Sequence, residues 1–336
     1  MQTVGPVKIV GPVVDAEVMV PLATFEKPLW PSAQRGARVT EQAGGISAVI
    51  IDDRMTRSIV VETHDAESAA RAMASIVSRR DELAAVTKTT SRFARLLDVH
   101  TQCVANLIYL RLEFSTGDAA GHNMVTLAAD RIMSWLLTKY TELRYVSISG
   151  NFCTDKKISA VNGILGRGKN VVCDITIPHA LCRRYLKTEP QRIVDLNIKK
   201  NFVGTMIAGG VRTANAHFAN ILLAFYLATG QDAANIIEGS QGITYASVED
   251  SDLYFSATLP NIIVGSVGSG KDLAFVEANL EMLGCREKGL PGENARRLAA
   301  IAAAAVLCGE LSLLAAQTNP GELMAAHTRL ERESRK

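Results

Sequence analysis

One run constrains this chain more than any other. From Leu298 to Ala316 the residues are almost wholly apolar and rich in alanine, close to the roughly 20 that a membrane span requires. Such a run either crosses a bilayer or forms the buried axis of a large core. Gly309 and Glu310 interrupt it, and an acid inside a span costs about 2.5 to 3.5 kcal/mol. The run therefore reads as a core helix, entered through Pro291-Gly-Glu-Asn. A chain of 336 residues, 48% apolar and 21% charged, has the composition of an ordinary globular enzyme with one large domain or two smaller ones. A net charge of +2 argues against a bulk electrostatic partner such as nucleic acid, though not against local basic patches. Six cysteines without a Cys-x-x-Cys pair indicate neither a zinc knuckle nor a disulfide framework. No signal peptide is visible and no metal site is expected, so a cytoplasmic protein that does not use the membrane is the expectation.

The rest of the chain alternates strand and helix signals. Residues 1 to 20 place β-branched runs between Gly and Pro, as short strands and turns do. A helical Ser32 to Arg38 follows, then a strand from Ile46 to Ile51, with Asp52 to Arg57 expected as a polar loop. Between Ser58 and about Val146, strand-like Ile59-Val-Val-Glu and Leu107 to Phe114 alternate with helical periodicity at Ala66 to Arg79 and Met124 to Tyr140. That order fits a small α+β unit of the split βαβ kind. It divides the chain into a large domain's first part (1–58), an inserted small domain (59–147) and the large domain's second part (148–336).

The polar chemistry concentrates at Ser149 to Ala160, directly after strand-like Tyr145-Val-Ser-Ile. Two adjacent lysines, Lys156 and Lys157, can hold a carboxylate and face an oxygen that turns negative during reaction, while Asp155 limits their mutual repulsion. A solvated turn is the bland reading of those three residues alone. Glu26 sits on an apolar lead-in, where a carboxyl can hold its proton for acid catalysis. Arg35 and Arg38 are three apart on a helix and can meet a phosphate; taken alone, a solvated charge pair is the default reading of these two, and an ordinary surface acid that of Glu26. Gly117 to Met124 opens a helix with glycine and can offer free N–H groups to a diphosphate, and Ser91-Arg92 can supply a hydroxyl and a guanidinium. Asp232 lies just past a helix end, where an acid needs a compensating partner such as lysine. Gly265 to Lys271 is one residue short of a Walker loop, because Asp272 replaces the magnesium-holding hydroxyl. A nucleotide triphosphatase is therefore a poor reading, though the glycines still allow a dinucleotide to approach.

Taken together, Val20-Pro-Leu-Ala-Thr-Phe-Glu26, Met55-Thr-Arg57, Ser91-Arg-Phe-Ala-Arg-Leu, Gly117-Asp-Ala-Ala-Gly-His-Asn-Met, Ser149 to Lys157, Gly166-Arg-Gly-Lys-Asn, Asn197-Ile-Lys-Lys-Asn, Gly230-Gln-Asp232, Gly292-Glu-Asn-Ala-Arg and Gly309-Glu-Leu-Ser-Leu make the chain resemble the hydroxymethylglutaryl-coenzyme A reductase family. The pattern is similar to the eukaryotic and archaeal class, without a membrane anchor. The resemblance implies an α/β (α+β) fold: a large substrate-binding domain with an inserted, ferredoxin-like, NADP(H)-binding domain. It implies a homodimer with active sites shared between subunits. The implied reaction reduces 3-hydroxy-3-methylglutaryl-CoA to mevalonate and CoA with two hydrides from NADPH, a step of isoprenoid biosynthesis that passes through a hemithioacetal and mevaldehyde.

The resemblance also implies residue roles. Lys156 would stabilise the oxyanion, Glu26 would transfer protons, Asp232 would hold the charge network between them, and His327 would protonate the departing thiolate. Arg57, Ser149, Asp155, Lys157, Lys200 and Asn220 would hold the hydroxymethylglutaryl part, and Ser32, Arg35 and Arg38 coenzyme A. Ser91 and Arg92 would meet the 2′-phosphate. Asp118, Ala119, Gly121, His122, Asn123, Met124, Val267, Gly268 and Gly270 would line the remainder of the cofactor site. Two other outcomes stay open: the NAD-dependent, mevalonate-oxidising direction, and an impaired homologue that only binds, motivated by Lys27 and Pro28 after Glu26.

Overall fold

The computed structural model describes residues 1–328; the side chains of Ala326 and His327 lie outside the described part. The strands are β1 (Gln2–Val10), β2 (Asp15–Leu22), β3 (Ile46–Glu62), β4 (Arg95–Val104), β5 (Leu107–Ser115), β6 (Arg144–Ser147), β7 (Gly168–Ile177), β8 (Ile243–Glu249) and β9 (Asp252–Ile262). They form two sheets that share β3. One runs β2-β1-β3-β7-β9-β8, and the other has β6 and β5 on either side of β3, with β4 outside β5.

The apolar run is the helix Glu293–Gln317, and every residue from Leu298 to Ser312 is buried. It is the one helix among the described residues long and apolar enough to cross a membrane, and 94% of its apolar window lies inside the protein. It packs between the first sheet and two other helices, α1 (Leu29–Gln42) and the helix Phe218–Ala228. Contact with α1 is close because Gly36 has no side chain: a Cβ there would stand 2.0 Å from the Cys308 carbonyl oxygen. Alanine on the long helix serves the same end, letting flat layers approach on all sides.

β3 corrects the expected loop at Asp52 to Arg57. Its first half pairs β7 (Ser47 with Asp174, Ile50 with Val171). The register slips between Ile50 and Asp52, and the second half pairs β5 (Met55 with Phe114, Glu62 with Leu107). The charges that made this stretch read as a loop are paired: Arg54 with Asp52 along the strand and with Glu113 on β5, and Asp53 with Lys169 on β7 at 3.0 Å. A bulged strand thus carries the chain from one sheet to the other, across the boundary expected at residue 58.

The second sheet is covered by α2 (Ala66–Ser78), α3 (Arg80–Lys88) and α4 (His122–Lys139). β3, the α2–α3 pair, β4, β5, α4 and β6 follow in βαββαβ order, and all three strand pairings are antiparallel, as in a split βαβ unit. Its own core gathers Ile59 and Val61 with Ile76, Leu110, Phe114, Ile132 and Leu136.

Candidate active site

The loop between β6 and the short helix Ala160–Leu165 is held in an uncommon shape. Asn151, Thr154 and Lys156 have φ of 58°, 45° and 55°, a region that costs roughly 1 to 2 kcal/mol for residues with a Cβ. Buried partners offset this. Arg167, 1% exposed, donates to Asp155 at 2.7 Å and to the Thr56 carbonyl at 2.6 Å, and its Nε lies 3.4 Å from Glu238 Oε1. The same Glu238 oxygen accepts the Lys156 backbone N–H at 3.1 Å, and Asn162 donates to the Thr154 carbonyl at 3.1 Å. Burial pushes the Glu238 carboxyl up from its ordinary range.

Lys156 Nζ lies 2.8 Å from Asp232 Oδ2, supplying the lysine partner that Asp232 needs. Asp232 also accepts from the Ala234 N–H at 3.1 Å. The Asp232 hydrogen bond raises Lys156 above its ordinary value. Burial alone would raise Asp232, but Lys156 and the Ala234 N–H outweigh it and hold the carboxyl low. Burial likewise works to raise Asp155, and Arg167 followed by His122 draws it below its usual range.

Around this pair opens a cleft of about 700 Å³, lined by Arg57, Ala119 to Met124, Asp155, Lys156, Gly230 to Asp232, Val267 to Ser269, and Lys271. The start of α4 forms one wall. Gly121 stands before the helix at φ 96° with no side-chain cap, leaving N–H groups of the first turn open to the cleft. His122 is held below its ordinary value, first by burial and then by Arg167. The glycine loop faces it, joined through an Ala119–Val267 bridge. Gln231 ties that loop to the Asp232 turn, accepting from Gly265 N at 2.9 Å and donating to Gly265 O at 3.1 Å. Gly268 and Gly270 have φ of 110° and 78°.

A second cleft of about 450 Å³ is lined by Glu26, Ser32, Arg35, His217, Asn220, Glu322 and Leu323, among others. Asn220 Nδ2 donates to Glu26 Oε2 at 3.1 Å. Ser32 bonds Ser312 Oγ at 3.0 Å, and Arg35 donates to the Ser312 carbonyl and to Glu322, each at 2.6 Å. Arg38 is exposed on α1. A smaller hollow of about 260 Å³ gathers Arg92, Arg95 and Arg296 with Asp53, Phe93 and Ser115. Ser91 Oγ accepts the Phe93 N–H at 3.1 Å.

Asp118 requires a correction. It does not line the large cleft; its carboxylate accepts from Gly292 N and Ala295 N, both at 3.0 Å, and so caps the long central helix, whose Gly292 N-cap has no side chain to do it. Ser149 is exposed outside either cleft, and Lys157 bends back to the Asp155 carbonyl at 3.0 Å. Lys200 donates to Asn201 at 3.1 Å, and burial lowers its pKa. His327 ends the helix Glu322–His327, with its side chain outside the described part. Within one chain Glu26 does not meet Lys156 and Asp232. Sequence reasoning gave no site role to Arg167, Gln231, Glu238 or Lys271; the first two stood inside quoted motifs and Lys271 inside the near-Walker run, so these three carried a signal and Glu238 did not. Among the described residues one cluster, Asp98, His100 and Glu113, has metal-ligand spacing, but Arg54 and Arg111 already balance Glu113.

The profile of the hydroxymethylglutaryl-coenzyme A reductase family matches residues 2–332. The chain belongs to that family. It is accordingly an oxidoreductase by descent, and its relatives include archaeal and plant reductases. The 3-hydroxy-3-methylglutaryl-coenzyme A reductase of Aeropyrum pernix is 43% identical over 330 residues, covering 98% of this chain and 78% of that protein. That of Pyrococcus horikoshii is 45% identical over 320 residues, 94% of this chain and 77% of its own. Reductase 1 of Oryza sativa subsp. indica is 41% identical over 338 residues, 98% of this chain and 62% of the plant protein. A class II 3-hydroxy-3-methylglutaryl-CoA reductase from Streptococcus pneumoniae, solved bound to NADPH, superposes with a TM-score of 0.72 over 95% of this chain and 84% of its own. At 18% identity that likeness is one of fold.

Proposed function

We propose that the chain reduces (S)-3-hydroxy-3-methylglutaryl-CoA to mevalonate and CoA with NADPH, in sites completed by a second copy. The observation that carries this reading is the Lys156–Asp232 pair, set in one cleft with the open start of α4 and the glycine loop. The cleft fits a dinucleotide: uncapped N–H groups suit a diphosphate, and glycines leave room for backbone approach. When bound, NADPH supplies hydride to the carbonyl carbon. Everything else falls to this chain's own groups. Lys156, kept protonated by Asp232, faces the oxygen as it turns negative, which is where a fixed cation lowers the barrier most. Arg57 and Asp155 hold the hydroxymethylglutaryl end, with Asp155 fixed by Arg167. Ser32 and Arg35 border the cleft that takes coenzyme A. The three arginines of the smaller hollow suit a 2′-phosphate, which favours NADPH over NADH and the reductive direction.

Glu26 and Asn220 lie in the other cleft, so proton delivery to Lys156's substrate comes from a neighbouring subunit. Exposed apolar side chains fit such pairing: Ile198, Val203, Met206 and Ile207, within ten residues of one another in sequence, are 51%, 47%, 76% and 82% exposed. His327 is the proposed donor to the leaving thiolate, a role that needs a group titrating near neutrality. Two measurements test this. Thioester-dependent NADPH oxidation should be present in the wild type and lost in Lys156→Ala. Mixing inactive Glu26→Gln and Lys156→Ala chains should restore about a quarter of wild-type activity, because about half the dimers are hybrids with one intact site. No restoration would place both residues in one chain's site and refute the shared arrangement.

A further inference from the structure

The near-Walker run left its lysine without a role. Lys271 is only 6% exposed, yet it lines the large cleft beside Gly268 and Ser269. Its ammonium donates to the Gly230 carbonyl, the one hydrogen-bond partner it has among the described residues. An ammonium carries three donors, so two remain. A buried cation is costly unless paired, and among the described residues no carboxylate forms an ion pair with it: Asp232 pairs with Lys156, Asp155 with Arg167, Glu277 lies 3.6 Å from Arg286, and the adjacent Asp272 is exposed and makes no ion pair with the lysine. Arg286 itself donates to the Lys271 carbonyl at 2.6 Å and adds repulsion. The remaining charged or titratable groups lining the cleft are Arg57 and His122. The counter-ion must come from outside.

We infer that Lys271 is an anion-contact residue of the cleft, donating to a diphosphate oxygen of the bound dinucleotide and so helping to select for that ligand. The inference rests on the proposed reading of this cleft as the cofactor's. Burial first, then Arg286, brings the lysine down to about 8. A phosphate beside it restores the charge, so binding draws a proton in. Affinity is therefore full below that value and falls as pH rises through it. The 2′-phosphate titrates near pH 6 and stays doubly charged throughout this window.

The test is NADPH binding by the full chain, followed by nucleotide fluorescence at pH 7 and pH 9, for wild type, Lys271→Met and Lys271→Arg. Wild type should bind about tenfold more weakly at pH 9 than at pH 7, as expected for one proton taken up at a group titrating at about 8. Lys271→Met should be weak at both, and Lys271→Arg tight at both. The inference is overturned if folded Lys271→Met binds as wild type does or keeps the pH slope. It is equally overturned if kcat falls with Kd unchanged, since Lys271 would then only buttress Gly230, two residues before Asp232. Should the methionine variant not fold, a slope that persists in Lys271→Arg overturns it. Wild type that binds no dinucleotide at all would sink the reading of the cleft, a result distinct from these.

Discussion

Glu310 is the acid that makes the long apolar helix a poor membrane span, and its surroundings show what it does instead. It is wholly buried, and its two oxygens accept Ala216 N at 2.6 Å, His217 N at 3.0 Å and Thr244 Oγ1 at 2.9 Å. Those two N–H groups open the helix Phe218–Ala228, which carries Asn220 to Glu26. Replacing Glu310 by alanine strands two half-buried N–H groups and a buried hydroxyl. Hydrogen bonds to a charged group are worth about 1.5 to 3 kcal/mol each, but the variant also escapes the carboxylate's own burial cost of several kcal/mol. Three such bonds gross about 4.5 to 9 kcal/mol, and that offset leaves a net loss of about 3 to 5 kcal/mol. At roughly 2 °C per kcal/mol for a large chain, the melting temperature should fall by about 6 to 10 °C. Glu310→Gln keeps one acceptor and should lose about half as much. Urea unfolding followed by circular dichroism, with the slope m unchanged, reads the difference directly. A Glu310→Ala variant within 1 kcal/mol of wild type would refute the reasoning, because it would mean that the carboxylate's burial cancels its bonds.

Asp118→Ala should cost about 1 to 2 kcal/mol, as loss of a helix cap does, while leaving the Kd for NADPH unchanged; a weakened Kd with unchanged stability would return Asp118 to the cofactor site. Lys156 is raised and Asp232 lowered, so the pair's contribution is complete between the two ordinary values. It is lost on the acid side as pH falls through the Asp232 value in the folded protein, and on the alkaline side only as pH rises through the elevated Lys156 value. Asp232→Asn removes the group that raises the lysine, and the alkaline limb of the kcat profile should move to lower pH; a limb that stays in place would detach Lys156 from it. Arg92→Ala should raise KM for NADPH roughly tenfold, about 1.4 kcal/mol, and leave NADH untouched in steady-state kinetics. Equal losses for both cofactors would contradict a 2′-phosphate contact.

What could be read from the sequence and what could not follows from where each interaction is paid for by its partners. The central helix was legible because an unbroken apolar run has few fates, and Glu310 removed one of them. The Lys156–Asp232 contact was legible in kind: an acid just past a helix end needs a cation, and the loop before residue 160 offered two. The polar stretch at Asp52 to Arg57 was not, because its charges are satisfied by Glu113 and Lys169, each more than fifty residues along the chain. Asp118 failed for the same reason. Gly-Asp before a helix looks like that helix's own cap, whereas the carboxylate reaches to a different helix that begins at residue 293. Arg167 and Glu238 are the sharpest case. Arg167 stood in a quoted motif but without a role, and Glu238 in none, because buried charges have no periodicity to announce what they do, yet they hold Lys156 at a positive φ and aim it into the cleft. Loop motifs therefore reveal which groups meet a ligand, while the groups that fix those loops in strained shapes are set by long-range pairing, and only the folded chain brings them together.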